Sequence, residues 1–157
     1  MLASTETFAL FMHLVGAFVF VGGAMVAGIG FEAARTRAQP GEIALLLELT
    51  RAGVLCVAAG GLVLLPFGLW LVDLEHAGYA RGWIVAAVGL FSVAVVLGAL
   101  GGRRPRRARV LAGRLARESQ DTTRELRALL DDRSSRAANY LSSLLVLAIV
   151  ALMVFKP

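Results

Sequence analysis

Residues 8–31 read FALFMHLVGAFVFVGGAMVAGIGF, an uncharged run of 24 residues whose single ionisable group is His13. At about 1.5 Å of rise per residue, a helix of this length reaches across a ~30 Å hydrocarbon core. A helix that is apolar on every side belongs inside a large core or in a membrane. A chain of 157 residues builds no core large enough to wrap it. The run is therefore a predicted transmembrane helix.

The composition agrees. Hydrophobic residues make up 58% of the chain and charged residues 17%, far from soluble usage. No Lys or Arg precedes the first apolar run and Glu6 is the only early charge, so no cleavable leader is expected. The one cysteine, Cys56, excludes an internal disulfide and reads as a small buried hydrophobe on a helix face near Ala59 and Gly60.

Outward from the first run, a polar connection is expected over Glu32 to Glu42, with the turn signal Pro40-Gly41. A second apolar stretch covers Ile43 to Val72, interrupted by Glu48 and Arg51, which are three apart and could pair on one helical face. The span proper is placed at about 52–72, its first part forming an interfacial or cytoplasmic extension, and Pro66 is expected to kink it. A short connection, Asp73 to Arg81, is bracketed by Trp70, Tyr79 and Trp83 as an aromatic belt. The third span is about 82–102 and the fourth about 137–155. Two small-residue faces are expected to pack closely on neighbours: Ala24 with Gly28, and Ala94 with Gly98 and Gly102.

Between the third and fourth spans, residues 103–136 carry eleven arginines against five acids. Nucleic acid is not the expected partner, because the segment holds no aromatic side chain for base stacking. Arginines beside a membrane helix more often meet anionic lipid head groups, and Arg103, Arg104, Arg106, Arg107 and Arg109 are the residues expected to do so. Pro105 is expected to break the chain. Beyond it, Leu111, Leu115, Thr122, Leu126 and Leu129 share an arc, and Thr122 to Glu125 matches a capping box with a break near Ser119. One or two amphipathic helices lying on the membrane or a partner are expected. The positive-inside rule places this segment and the first connection in the cytoplasm, with both termini outside.

The chemistry available is sparse. An ionisable group within a span is a functional candidate by default, and His13 is the only one. At its depth the other helices offer Pro66, Phe67 and Gly68 on the second span and Gly89 on the third. His13 could be an axial ligand of b-type haem or a metal ligand, with His76 and Met153 as second-ligand candidates. It could equally be a histidine hydrogen-bonded to a neighbouring helix, with a proton-relay or substrate role as a third option. Asp73, Glu75 and His76 read as solvated loop charges ahead of an external cation site. No nucleotide loop, carboxylate pair, nucleophile motif or zinc spacing is present, so catalysis by the chain's own side chains is not expected.

Several stretches carry a resemblance: His13-Leu14-Val15-Gly16 with Phe20-Val21-Gly22-Gly23; Phe67-Gly68-Leu69-Trp70-Leu71-Val72; Gly78-Tyr79 leading to Trp83-Ile84; and the closing Leu152-Met153-Val154-Phe155-Lys156-Pro157. Together they resemble an uncharacterised family of four-helix predicted bacterial integral membrane proteins. The first pattern is also distantly similar to copper-resistance protein D and to HemJ-type protoporphyrinogen oxidase. The resemblance implies a four-helix bundle in the inner membrane and haem contact at His13. Those oxidases also use a lysine within a later helix, whereas the only lysine here is Lys156.

The expectation is thus a single all-α domain over residues 1–157: a four-helix transmembrane bundle with a basic amphipathic cytoplasmic segment between the third and fourth spans. It would be multi-pass in the bacterial inner membrane, in contact with the lipid bilayer and with other membrane subunits or itself. Two functions follow: a haem b or metal protein through His13, or a non-catalytic accessory subunit of a larger complex.

Overall fold

A computed structural model describes residues 2–74 and 82–155, without the side chains of residues 2–4, 135 and 154. The described residues form six helices and no strand: α1 (Leu2–Thr36), α2 (Pro40–Leu74), α3 (Gly82–Gly101), α4 (Arg103–Arg117), α5 (Arg124–Leu130) and α6 (Arg133–Phe155). Four stretches are long and apolar enough to cross a membrane: Thr5–Thr36, Pro40–Leu74, Gly82–Arg117 and Arg136–Met153. They fall on the four apolar runs of the sequence.

The helices of the first pair outrun their spans. α1 and α2 each have 35 residues, about 52 Å at 1.5 Å per residue. The connection expected over Glu32 to Glu42 shrinks to residues 37–39. Pro40 opens α2, where a fixed φ suits the first turn and the missing N–H leaves no helical bond unmade. Pro66 lies inside α2 without ending it.

α1 and α2 meet along a seam of glycines seven residues apart: Gly16, Gly23 and Gly30 on α1, with Gly53 and Gly60 on α2. All five are buried. A β-carbon at Gly16 would lie 2.6 Å from the Leu64 amide nitrogen, one at Gly53 2.6 Å from that of Ala27, and one at Gly23 2.7 Å from the Gly53 carbonyl. Gly60 is equally tight against the backbone of Phe20. At Gly16, Gly53 and Gly60 backbone therefore lies directly on backbone, while Gly23 also faces the Cys56 β-carbon and Gly30 the Thr50 hydroxyl. A seven-residue period keeps the same face turned to an antiparallel partner over many turns.

The expected Ala24–Gly28 face is not this seam. Gly28 is exposed, and a β-carbon there would meet nothing within 4 Å. Ala24 is one position and Gly28 two positions off the seven-residue repeat, which turns Gly28 outward. The Ala94–Gly98 face does pack, against α6: the Ser142 hydroxyl donates to the Ala94 carbonyl at 3.0 Å and lies 3.6 Å from a β-carbon built at Gly98.

The pair α1–α2 joins the pair α3–α6 through few contacts along the spans. The Phe20 and Phe91 rings sit 5.5 Å apart, and Val72 packs on Ile84 beside Trp83. The main buried core lies instead at the arginine-rich end. There Phe31 and Ala34 of α1 and Ile43 and Leu47 of α2 meet Ala108, Ala112 and Leu115 of α4 and Leu126 and Leu130 of α5.

The apolar arc expected to meet the membrane or another protein is packed within the chain. The apolar faces of α4 and α5 are covered by extensions of α1 and α2 from the same chain. Of the expected arc, Leu115 and Leu126 are buried, and Leu111 and Leu129 pack at its edge.

Pro105 follows an interruption of the helix at Gly102, between α3 and α4. It occupies the first turn of α4, where no N–H partner is required. Hydrogen bonds continue past it from Gly102 N–H to Gly98 (2.9 Å) and from Arg106 N–H to Gly102 (3.1 Å). The break near Ser119 is present. Ser119 is left-handed at φ 51°, and its N–H and that of Gln120 donate back to Ala116 and Leu115, closing α4 with a Schellman turn. Thr123, one residue after the expected Thr122, caps α5 by accepting from Leu126 N–H at 3.3 Å.

Gly60→Ala should lower thermal stability in detergent by about 1–3 kcal/mol, the cost of overpacking a close contact. Gly28→Ala should leave it unchanged or raise it by up to about 1 kcal/mol through helix propensity. Equal effects at the two positions would refute the seam.

Candidate functional site

His13 sits on the α1 face that carries the glycine seam, one turn before Gly16. Its Nδ1 lies 2.9 Å from the Leu64 carbonyl of α2. A carbonyl only accepts, so Nδ1–H donates, and the tautomer that fits carries its lone pair on Nε2. Gly68 makes the room: a β-carbon there would lie 2.9 Å from both Cε1 and Nδ1 of the imidazole. The ring is half-buried. Nearby on the same two helices, Phe8 meets Phe67 edge-on at 5.9 Å and Phe67 meets Trp70 at 5.8 Å. The depth match of His13 with Gly68 is thus a direct contact, and of the readings weighed for His13 the bond to a neighbouring helix is present.

Of the second-ligand candidates, Met153 does not join it. Met153 is half-buried on α6, which packs on α3 and not on the α1–α2 seam. His76 lies outside the described residues, as do Glu75 of the considered cation site and Tyr79 of the aromatic belt. Among the described residues, no three His, Cys, Asp or Glu side chains gather into a metal site. Cys56 is exposed rather than buried. Its backbone is at the seam, its β-carbon facing Gly23, and the helix rotation that brings Gly53 and Gly60 inward leaves the thiol at the edge.

The five arginines singled out divide by surroundings. Arg104 pairs with Asp132 at 2.7 Å and Arg109 with Glu48 at 2.6 Å. Arg103, Arg106 and Arg107 are exposed. Glu48, beyond the apolar part of α2, also faces Arg51 at 3.6 Å, so the expected pair is present and shared. The hydrogen bond from Arg109 holds the Glu48 carboxyl below the usual carboxylate range.

Sequence reasoning missed a set of polar ties at the same end. Arg127 of α5 donates to the carbonyls of Arg35 (3.0 Å) and Arg37, a cation on the C-terminus of α1 where helix carbonyls lack partners. Thr122 donates to the Ala38 carbonyl. Arg35 bridges Glu32 at 2.7 Å and Asp131 at 3.1 Å, and Tyr140 of α6 donates to Glu32 at 3.1 Å. Except for Glu32 with Arg35, three residues apart, these partners are distant in sequence, and no local pattern announces them.

Four apolar helices in two close pairs, locked at one end by short basic helices, define a multi-span integral membrane protein of the all-α class. The chain belongs to the DUF2269 family, described as predicted integral membrane protein, which it matches over residues 7–157. No curated protein and no solved structure matches it.

In bilayers, ¹⁵N spectra of histidine-labelled protein should show His13 with a pyrrole-type Nδ1 and a pyridine-type Nε2. Gly68→Ala should abolish that tautomer preference by displacing the ring. The opposite tautomer in the unmodified protein would contradict the Leu64 bond.

Proposed function

We propose that this protein is a non-catalytic integral subunit of the bacterial inner membrane, working in association with other membrane subunits or with its own copies. The observation that supports this most is the state of His13. The imidazole within the first span is engaged as a tie between α1 and α2, its ring edge closed by Gly68. Large apolar side chains such as Phe18, Leu62 and Ile29 point outward at 80%, 77% and 67% exposure, as suits lipid or neighbouring spans. The arginine excess orients the α4–α5 end toward the cytoplasm and both termini outward.

A second reading rests on the same bond. A metal-bound histidine commonly donates its other ring N–H to a backbone carbonyl, which orients the ring and raises its basicity. His13 has that arrangement, with Nε2 left as the coordinating nitrogen for haem b or a metal ion. Among the described residues Met153 is not placed beside it, α6 packing on α3.

Two measurements separate the readings. Purified from its native membrane in mild detergent, the protein should carry partner subunits or further copies of itself in fixed stoichiometry; a lone monomer would count against the subunit reading. Produced with haem supplied, it should show a flat visible spectrum, oxidised and dithionite-reduced. A Soret band with sharpened reduced bands, lost in His13→Ala, would establish the haem reading instead.

A further inference from the structure

Where α3 runs into α4, the chain passes from an apolar span to an arginine-rich helix within three residues, Gly101 to Arg103. α6 begins beside this junction at Arg133. Between them lies a cavity of about 310 Å³. One wall carries Arg103, Arg104 and Arg107, and Ser134 from the first turn of α6 faces them. The rest of the lining, Leu100, Gly101 and Ala138, is apolar and belongs to the ends of two spans.

The charges in this corner do not balance. Asp132 pairs with Arg104 at 2.7 Å and also accepts the Ser134 hydroxyl at 2.6 Å. Arg103 and Arg107 form no ion pair among the described residues and are exposed. Two positive charges in excess therefore face a small cavity, with the N-terminal, positive end of α6 beside it. Guanidinium forks match phosphate oxygens in pairs.

What distinguishes a lipid from a free anion is the floor. Leu100 is 48% exposed, and Val96 and Leu141, about one turn further into the spans, are 57% and 48% exposed. Val96 follows Leu100 one turn along α3, and Leu141 follows Ala138 one turn along α6, so apolar side chains run on from the cavity lining along each helix. A basic pocket between membrane helices at head-group depth is the setting in which phospholipid head groups bind.

We infer that the α3–α4 junction and the start of α6 form a site for one anionic phospholipid. Its phosphate is held by Arg103 and Arg107, and its acyl chains lie along Leu100, Val96 and Leu141. This needs the chain only to be in a bilayer and stands whether or not it is a subunit of a complex. It gives a defined place to the head-group contact expected of the basic segment.

Native mass spectrometry of the full chain, released from neutral detergent with added lipid, tests it, because folded, lipid-bound protein is counted directly even if a variant is less stable. Phosphatidylglycerol should bind saturably at one copy, and phosphatidylcholine at least about tenfold more weakly. Arg103→Gln with Arg107→Gln should weaken phosphatidylglycerol at least about tenfold, the scale of losing charge-assisted hydrogen bonds. Arg117→Gln with Arg124→Gln, removing the same charge elsewhere, should leave it unchanged. Three results would overturn the inference: no lipid preference, equal loss in both double variants, or inorganic phosphate displacing the lipid, which would mark a site for free anions.

Discussion

The rest of the structure depends on how closely α1 and α2 approach. In a bilayer, burying apolar side chains between helices brings no hydrophobic gain, because lipid is as apolar as they are, and association rests on packing and hydrogen bonds. Glycine at 16, 23, 30, 53 and 60 removes the side chains that would hold the two backbones apart. Many weak dispersion contacts then form along the whole seam. His13 adds a directional bond at one end of the seam, in a notch that only Gly68 can leave open.

The other end is closed by a different chemistry. Once α1 and α2 extend past their apolar spans, their exposed faces can be covered by a water-facing core, and α4 and α5 provide it through Ala108, Ala112, Leu115, Leu126 and Leu130. The arginines around that core act first as fasteners. Arg127 closes the C-terminus of α1, Arg109 reaches Glu48 on α2, and Arg104 reaches Asp132 just before α6. The two helix pairs, thinly joined along the spans, are held together chiefly here.

Much of this was legible in the residues. Uncharged runs of span length announce membrane helices because the cost of an unpaired charge in hydrocarbon is high. The extension of α2 ahead of its span was legible from Glu48 and Arg51, but that of α1 was not, since Glu32 and Arg35 read as the polar edge of a span until their partners are seen. The seven-residue glycine spacing is visible in the sequence, yet Ala24 and Gly28 offer a competing four-residue spacing, and in a helix apolar on every side the pattern does not say which face is covered. His13 was identifiable from its chemistry and Gly68 from its depth. The carbonyl that receives the bond belongs to Leu64, and a backbone acceptor leaves no trace in side-chain identity.

The central claim is the backbone contact itself, and carbon–carbon correlation spectra of glycine-labelled protein in lipid bilayers measure it directly. The account predicts short-range cross-peaks between Gly16 and Gly60 and between Gly23 and Gly53, with none from Gly28 to a glycine of α2. Absence of the first two, or a cross-peak placing Gly28 against α2, would contradict it.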